Sequence, residues 1–171
     1  GRRLENISRR GKYLIFEFDH DLRLVAHMRM TGQLLLVPKD EAPAGHTRLI
    51  FSLRGARLPS PASSCSRQRR PADLHFLDAR KFGRFVLTTA DKLGEVPGLS
   101  ALGPEATDIS PATFIKMLAG SRGQIKPLLL DQRRIAGLGN IYVDEAIFAA
   151  AIHPCTPACS IPERQARTLL R

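Results

Sequence analysis

Short apolar-rich runs broken by turn residues fill the first half of the chain, and longer runs with helix-start signals fill the second. Lys12-Tyr-Leu-Ile-Phe-Glu-Phe18, Leu22 to Met28, Gln33 to Val37 and Thr47-Arg-Leu-Ile-Phe-Ser52 read as strands. Asp19-His20-Asp21, Thr31-Gly32 and Pro43-Ala-Gly45 supply the turns between them. Asp73 to Asp78 and Arg84 to Thr88 add two more. In the second half, Ser110-Pro111 places a cap and then a proline before a helix over Ala112 to Ala119. An apolar helical run follows from Ile125 to Leu130, then a glycine-rich turn from Ala136 to Gly139. A second helix runs from Asn140, at the N-cap position, to about Ala151. A last helix opens at Ser160-Ile-Pro-Glu163, which has capping-box spacing, and continues to Arg171.

This order predicts an α+β chain: an antiparallel β-sandwich or barrel over residues 1–90, a Gly- and Pro-containing linker over 91–104, and a helical domain over 105–171. The 171 residues suffice for one ordinary domain or two small ones. No run of eighteen or more apolar residues is present, so no membrane span is expected. The three cysteines, Cys65, Cys155 and Cys159, make no disulfide framework and suit a reducing cytoplasm.

Charge sharpens the picture. The formal charge is +10, and it is lopsided: residues 1–88 hold 17 Lys/Arg against 8 Asp/Glu, residues 89–171 only 9 against 8. Such asymmetry points to a surface that meets a polyanion, with nucleic acid the commonest one, although a ribosomal or anionic membrane surface would give the same balance. The Gly137-Leu-Gly-Asn140 turn fits that partner, because exposed N–H groups at a helix start beside an Asn amide form a natural phosphate site. Taken alone, those glycines equally fit a closely packed helix hairpin.

The whole string from Gln124 to Pro154 carries more weight. It resembles the helix–two-turn–helix segment of the formamidopyrimidine-DNA glycosylases, bacterial repair enzymes that remove oxidised purines. Three further segments match the same family in the same order: Arg9-Arg-Gly-Lys12-Tyr-Leu14, His27-Met-Arg-Met30-Thr-Gly32 and Phe76-Leu-Asp-Ala-Arg80-Lys-Phe82-Gly-Arg84. The resemblance implies a lysine at the lesion, Lys12, which would otherwise read as one more phosphate-facing cation. It implies a base-displacing wedge of Met30, Arg80 and Phe82, residues that singly would read as core packing or surface charge. The chemistry suits the assignment. An enzyme that flips a base out of the duplex must fill the gap with apolar groups and satisfy the orphaned partner base with a cation. DNA contacts are expected from His46, Arg80, Arg122, Lys126 and Asn140, the phosphate contacts giving affinity without sequence preference. Asp144 and Glu145 are adjacent on a helix and point apart, which favours orienting a basic residue over paired acid–base catalysis.

The family's nucleophile is the secondary amine of an N-terminal proline, followed by a catalytic glutamate. This sequence starts Gly1-Arg2, so both would lie upstream, and the 171 residues alone are not expected to excise bases. His153-Pro-Cys155-Thr-Pro-Ala-Cys159 offers too few ligands for structural zinc and is read as free thiols in a loop. No metal or cofactor is expected on this chain, and the family's zinc finger would lie beyond Arg171. Arg57 to Ala72, rich in Ser, Pro and Arg, replaces the tight turn expected between two strands and reads as an inserted loop. The resemblance thus implies a monomeric, cytoplasmic, nucleoid-associated glycosylase and abasic-site lyase acting on 8-oxoguanine and ring-opened purines in double-stranded DNA. An endonuclease VIII-type enzyme for oxidised pyrimidines and a non-catalytic nucleic-acid-binding module are the alternatives.

Overall fold

Seven strands and then four α-helices follow one another in the computed structural model, which describes residues 1–39, 41–55 and 71–170. The strands are β1 (Leu4–Arg10), β2 (Tyr13–Phe18), β3 (Leu22–His27), β4 (Gln33–Pro38), β5 (Thr47–Leu53), β6 (Ala72–Leu77) and β7 (Arg84–Thr89). The helices are α1 (Pro111–Ala119), α2 (Ile125–Leu130), α3 (Asn140–Ala149) and α4 (Glu163–Leu169). The architecture is therefore the expected α+β sequence of antiparallel sheets followed by helices. One sheet has the order β1-β2-β3-β7 and the other β4-β6-β5.

Six of the strands match expectation to within a residue or two, but β1 was not foreseen. It carries only Leu4 and Ile7 as apolar residues and lies at a sheet edge, where one-sided pairing with β2 demands little hydrophobicity. Its register with β2 runs from Leu4 opposite Phe18 to Arg10 opposite Tyr13, and Gly11 closes the hairpin at φ +56°.

The chain folds as two compact units, residues 1–24 with 87–171 and residues 25–86. In the first, the helices share one core. Phe114 and Leu118 of α1, Ile125, Leu128 and Leu129 of α2, and Val143 and Ile147 of α3 are all buried there. Each such side chain contributes on the order of 1.5–3 kcal/mol by leaving water. Ser110 caps α1 as its sequence predicted, its hydroxyl accepting from the Thr113 amide at 3.2 Å. Two other caps differ from expectation. Gly139, extended at φ −122° and ψ 176°, is the N-cap of α3, and Asn140 is its first helical residue. At α4 no capping box forms. Ser160 belongs to a preceding 3-10 turn (Ala158–Ser160), donates its hydroxyl to the Pro157 carbonyl at 2.8 Å, and leaves Pro162 as the N-cap. The segment before α1 is not a bare linker, since Val96 and Leu99 are buried.

The second unit is built on the three-stranded sheet. β6 pairs with β4 from Gln33 opposite Leu77 to Pro38 opposite Ala72, and with β5 out to Leu53 opposite Ala72. The pairing is thus regular up to the inserted segment, whose residues 57–70 lie outside the described part of the chain, as does Cys65. Phe76 of β6 and Phe51 of β5 meet Phe85 of β7 at ring-centroid distances of 4.7 and 5.8 Å, the first pair edge-on and the second tilted. Among the described residues no helix is long and apolar enough to cross a membrane.

Candidate nucleic-acid interface

In the first unit, the glycine turn between α2 and α3 is shaped from inside by the Gln132 amide. Its Nε2 donates to the carbonyls of Leu130 and Leu138 at 3.0 and 2.8 Å, and its Oε1 accepts from the Gly137 amide at 3.0 Å. Gly137 sits at φ +97°, a conformation that disfavours any side chain. The first turn of α3 has no side-chain cap, and its earliest internal bond is from Val143 N to Gly139 O. The amides of Asn140 to Tyr142 therefore face outward with the positive end of the helix, beside an exposed Asn140 side chain.

Cations from the β1–β2 hairpin stand against this turn. A Cβ built on Gly139 would lie 3.6 Å from Lys12 Nζ, and one on Gly137 would lie 3.8 Å from Arg9 Nη1. Lys12 is exposed as a residue, but partial burial of its ammonium lowers its pKa below the ordinary lysine value. The hairpin is held there by Glu105. Its carboxylate accepts from Arg9 Nη1 at 2.9 Å, Arg10 Nη1 at 2.6 Å and the Gly11 amide at 2.6 Å. Residue 105 itself bridges to Ala136 at the start of the turn. Burial alone would raise the Glu105 pKa; the Gly11 amide and the Arg10 and Arg9 guanidiniums outweigh it and hold the group below the ordinary glutamate value. Lys126 is paired with Asp144 at 2.6 Å, the orienting role expected of that carboxylate, while Arg122 is exposed.

In the second unit, the loops Met28–Gly32 and Asp78–Gly83 bring the three candidate wedge residues together. Met30 and Phe82 are 74% and 49% exposed, far from what core packing would give. The Arg80 guanidinium lies 4.7 Å from the centroid of the Phe82 ring and 3.4 Å from Met30 Sδ. An open cleft lies alongside, bordered by Arg29, Met30, Lys81, Phe82, Gly83 and Arg84. Arg29 at φ +58° and Lys81 at φ +60° adopt left-handed conformations, each next to a wedge residue. His46 is exposed just before β5, its carbonyl accepting from the Asp78 amide at 2.9 Å.

Two family models match, the formamidopyrimidine-DNA glycosylase N-terminal domain over residues 1–85 and the H2TH domain of the same glycosylases over residues 101–171. The chain belongs to the formamidopyrimidine-DNA glycosylase family. Curated relatives of that name include those of Lactiplantibacillus plantarum, 40% identical over 168 residues, and Moorella thermoacetica, 40% identical over 171 residues. These alignments cover 97% and 99% of this chain but 56% and 57% of the relatives. The chain thus spans little more than half the length of the family members it matches. Among solved structures, the Lactococcus lactis enzyme superposes with a TM-score of 0.83 at 35% identity, both in its complex with FAPY-dG-containing DNA and in one with abasic-site DNA. Those matches cover 99% of this chain and 59% and 58% of the respective structures.

Two residues that shape the first unit's turn, Glu105 and Gln132, escaped sequence reasoning. Among the described residues no group of three His, Cys, Asp or Glu side chains could hold a metal ion. Cys155 and Cys159 are free and exposed.

Proposed function

We propose that this chain is the DNA-gripping and base-displacing portion of a base-excision repair glycosylase with abasic-site lyase activity, acting on 8-oxoguanine and formamidopyrimidines in duplex DNA. The observation that carries the proposal is the exposed Met30–Arg80–Phe82 cluster. A side chain that only filled a core would be buried, and a passive nucleic-acid binder has no use for a flexible thioether, a flat ring and a cation stacked on one loop pair. These three suit the vacancy left by an extruded nucleotide: the apolar groups replace its stacking, and the guanidinium donates to the orphaned partner base. The glycine turn, with Asn140 and Lys12, supplies a phosphate grip, and His46 and Arg122 are further backbone contacts. The base-removing step belongs to an amine nucleophile that this sequence does not include; Lys12 assists proton transfer at the sugar. The partner is double-stranded DNA bound by a monomer, and zinc belongs to a further segment of the complete protein.

The test joins this chain to the N-terminal segment of a relative and compares excision by the Arg80→Ala and Phe82→Ala variants. Each is expected to slow 8-oxoguanine release from duplex DNA about ten- to a hundredfold, or about 1.4–2.7 kcal/mol in the barrier. At saturating enzyme, which offsets any weaker binding, processing of an already abasic site, where no base is extruded, is expected to suffer much less. Equal losses on both substrates would return Phe82 and Arg80 to ordinary structural roles.

A further inference from the structure

Asp78 is the most buried charged residue among the described residues of the second unit, 1% exposed, and none of the roles assigned above uses it. Its side chain and backbone reach three separate segments. Oδ1 accepts from the Thr31 hydroxyl at 2.5 Å, across 47 residues, and from the Arg80 amide at 3.2 Å. Oδ2 accepts from the Gly83 amide at 2.7 Å. Its own amide donates to the His46 carbonyl at 2.9 Å, and its carbonyl accepts from Arg48 Nε at 2.9 Å. The donors that meet the carboxylate come from residues immediately after Met30, at Arg80, and immediately after Phe82.

We propose that Asp78 is the positioning residue of the wedge: one buried carboxylate that fixes the Met30 loop and the Arg80–Phe82 loop in a single arrangement, ready to enter the duplex as a unit. The inference rests on the wedge reading above and deepens it. Two loops that each hold a non-glycine residue at positive φ, Arg29 and Lys81, need a tie strong enough to keep them there. Loops closed mainly by local backbone bonds, such as Gly32 N to Met28 O at 3.0 Å, would otherwise move independently. Ordering three side chains only at the moment of insertion costs binding energy, and a tie present beforehand removes that cost. The carboxylate itself never touches DNA. It acts through Thr31, Arg80 and Gly83.

The experiment uses this chain and a duplex with 2-aminopurine opposite a tetrahydrofuran abasic analogue, whose fluorescence reports insertion beside the orphan base. The wild-type chain is expected to change the signal at saturation. Asp78→Ala and Thr31→Val are each expected to cut that change roughly fivefold, from the loss of one or more hydrogen bonds that hold the inserted geometry. Asp78→Asn, which keeps an acceptor for Thr31 and the Arg80 amide but turns an NH2 donor toward the Gly83 amide, is expected to fall between wild type and Asp78→Ala. Affinity for an undamaged duplex is expected to stay unchanged in all three, a readout that a general folding defect would move. Should Asp78→Ala fail to fold, Thr31→Val decides the matter. A full signal from folded Asp78→Ala or from Thr31→Val overturns the positioning role and leaves the wedge intact. A silent wild-type chain overturns the wedge reading and this inference with it.

Discussion

The glycine turn of the first unit and the wedge loops of the second solve the same geometric problem with opposite residues. Both need backbone in the left-handed region. The turn uses Gly137 at φ +97°, and the hairpin against it uses Gly11 at φ +56°, where no side chain is wanted because the proposed phosphate site is made of outward-facing amides. The wedge loops place Arg29 and Lys81 there instead, because neighbouring positions must carry large side chains outward. Each region then hangs on one carboxylate. Glu105 is held chiefly by charged guanidiniums of a single hairpin, Asp78 by neutral donors from two loops. Binding a phosphate takes little more than exposed amides and cations, whereas filling a vacated stack takes side chains locked in a shared orientation.

That contrast predicts unequal tolerance to a single added methyl group. A Cβ at Gly83 would lie 2.3 Å from Cζ of Phe76, a ring only 3% exposed, and 3.2 Å from Asp78 Oδ2. Gly83→Ala is therefore expected to lower stability by about 3 kcal/mol, measured by denaturant unfolding, because a packed ring has nowhere to go. A Cβ at Gly139 would meet only the flexible end of Lys12 at 3.6 Å. Gly139→Ala is expected to leave stability within about 0.5 kcal/mol, because that distance is ordinary van der Waals contact and the backbone there is extended. Similar costs at the two sites would erase the distinction.

Much of this was legible in the sequence, for reasons particular to each element. Ser110-Pro111 announced α1 because a cap and a first-turn proline act locally, and the run Ile125–Leu130 stood out as a buried apolar helix. The two loops carrying Met30, Arg80 and Phe82 stood out from motif order, and the exposure of Met30 and Phe82 shows that these loops present side chains outward. β1 was hidden because an edge strand with two apolar residues has almost no hydrophobic signature. Ser160 matched a capping box in spacing, yet its hydroxyl is committed to a preceding turn. Glu105 and Asp78 were invisible for a different reason. Their partners lie up to 96 and 47 residues away, and no periodicity or local motif encodes a bond of that range.

A smaller effect separates the two carboxylates by charge. Glu105→Gln is expected to cost about 2 kcal/mol at neutral pH, because it leaves the Arg9 and Arg10 guanidiniums without their anion. The glutamate's pKa is lowered on folding, so its stabilising contribution is complete above its ordinary 4.5 and is lost as pH falls through the lower folded value. Stabilities of wild type and Glu105→Gln should therefore differ by a constant amount above pH 4.5 and converge as pH falls through the lower folded value. A gap that persists at acid pH would mean that shape, and not the ionised pair, sets the contribution.

The central claim is that grip and insertion reside in different regions, and the most direct test measures both with this chain. Fluorescence anisotropy gives its affinity for an undamaged duplex and for the same duplex with an abasic analogue. Asn140→Ala is expected to weaken both by the same factor, about tenfold or 1.4 kcal/mol, because a phosphate contact reads no lesion. Phe82→Ala is expected to weaken only the abasic complex and leave the undamaged one as it was. Equal weakening of both duplexes by Phe82→Ala, or a loss confined to the abasic duplex for Asn140→Ala, would contradict the division of labour.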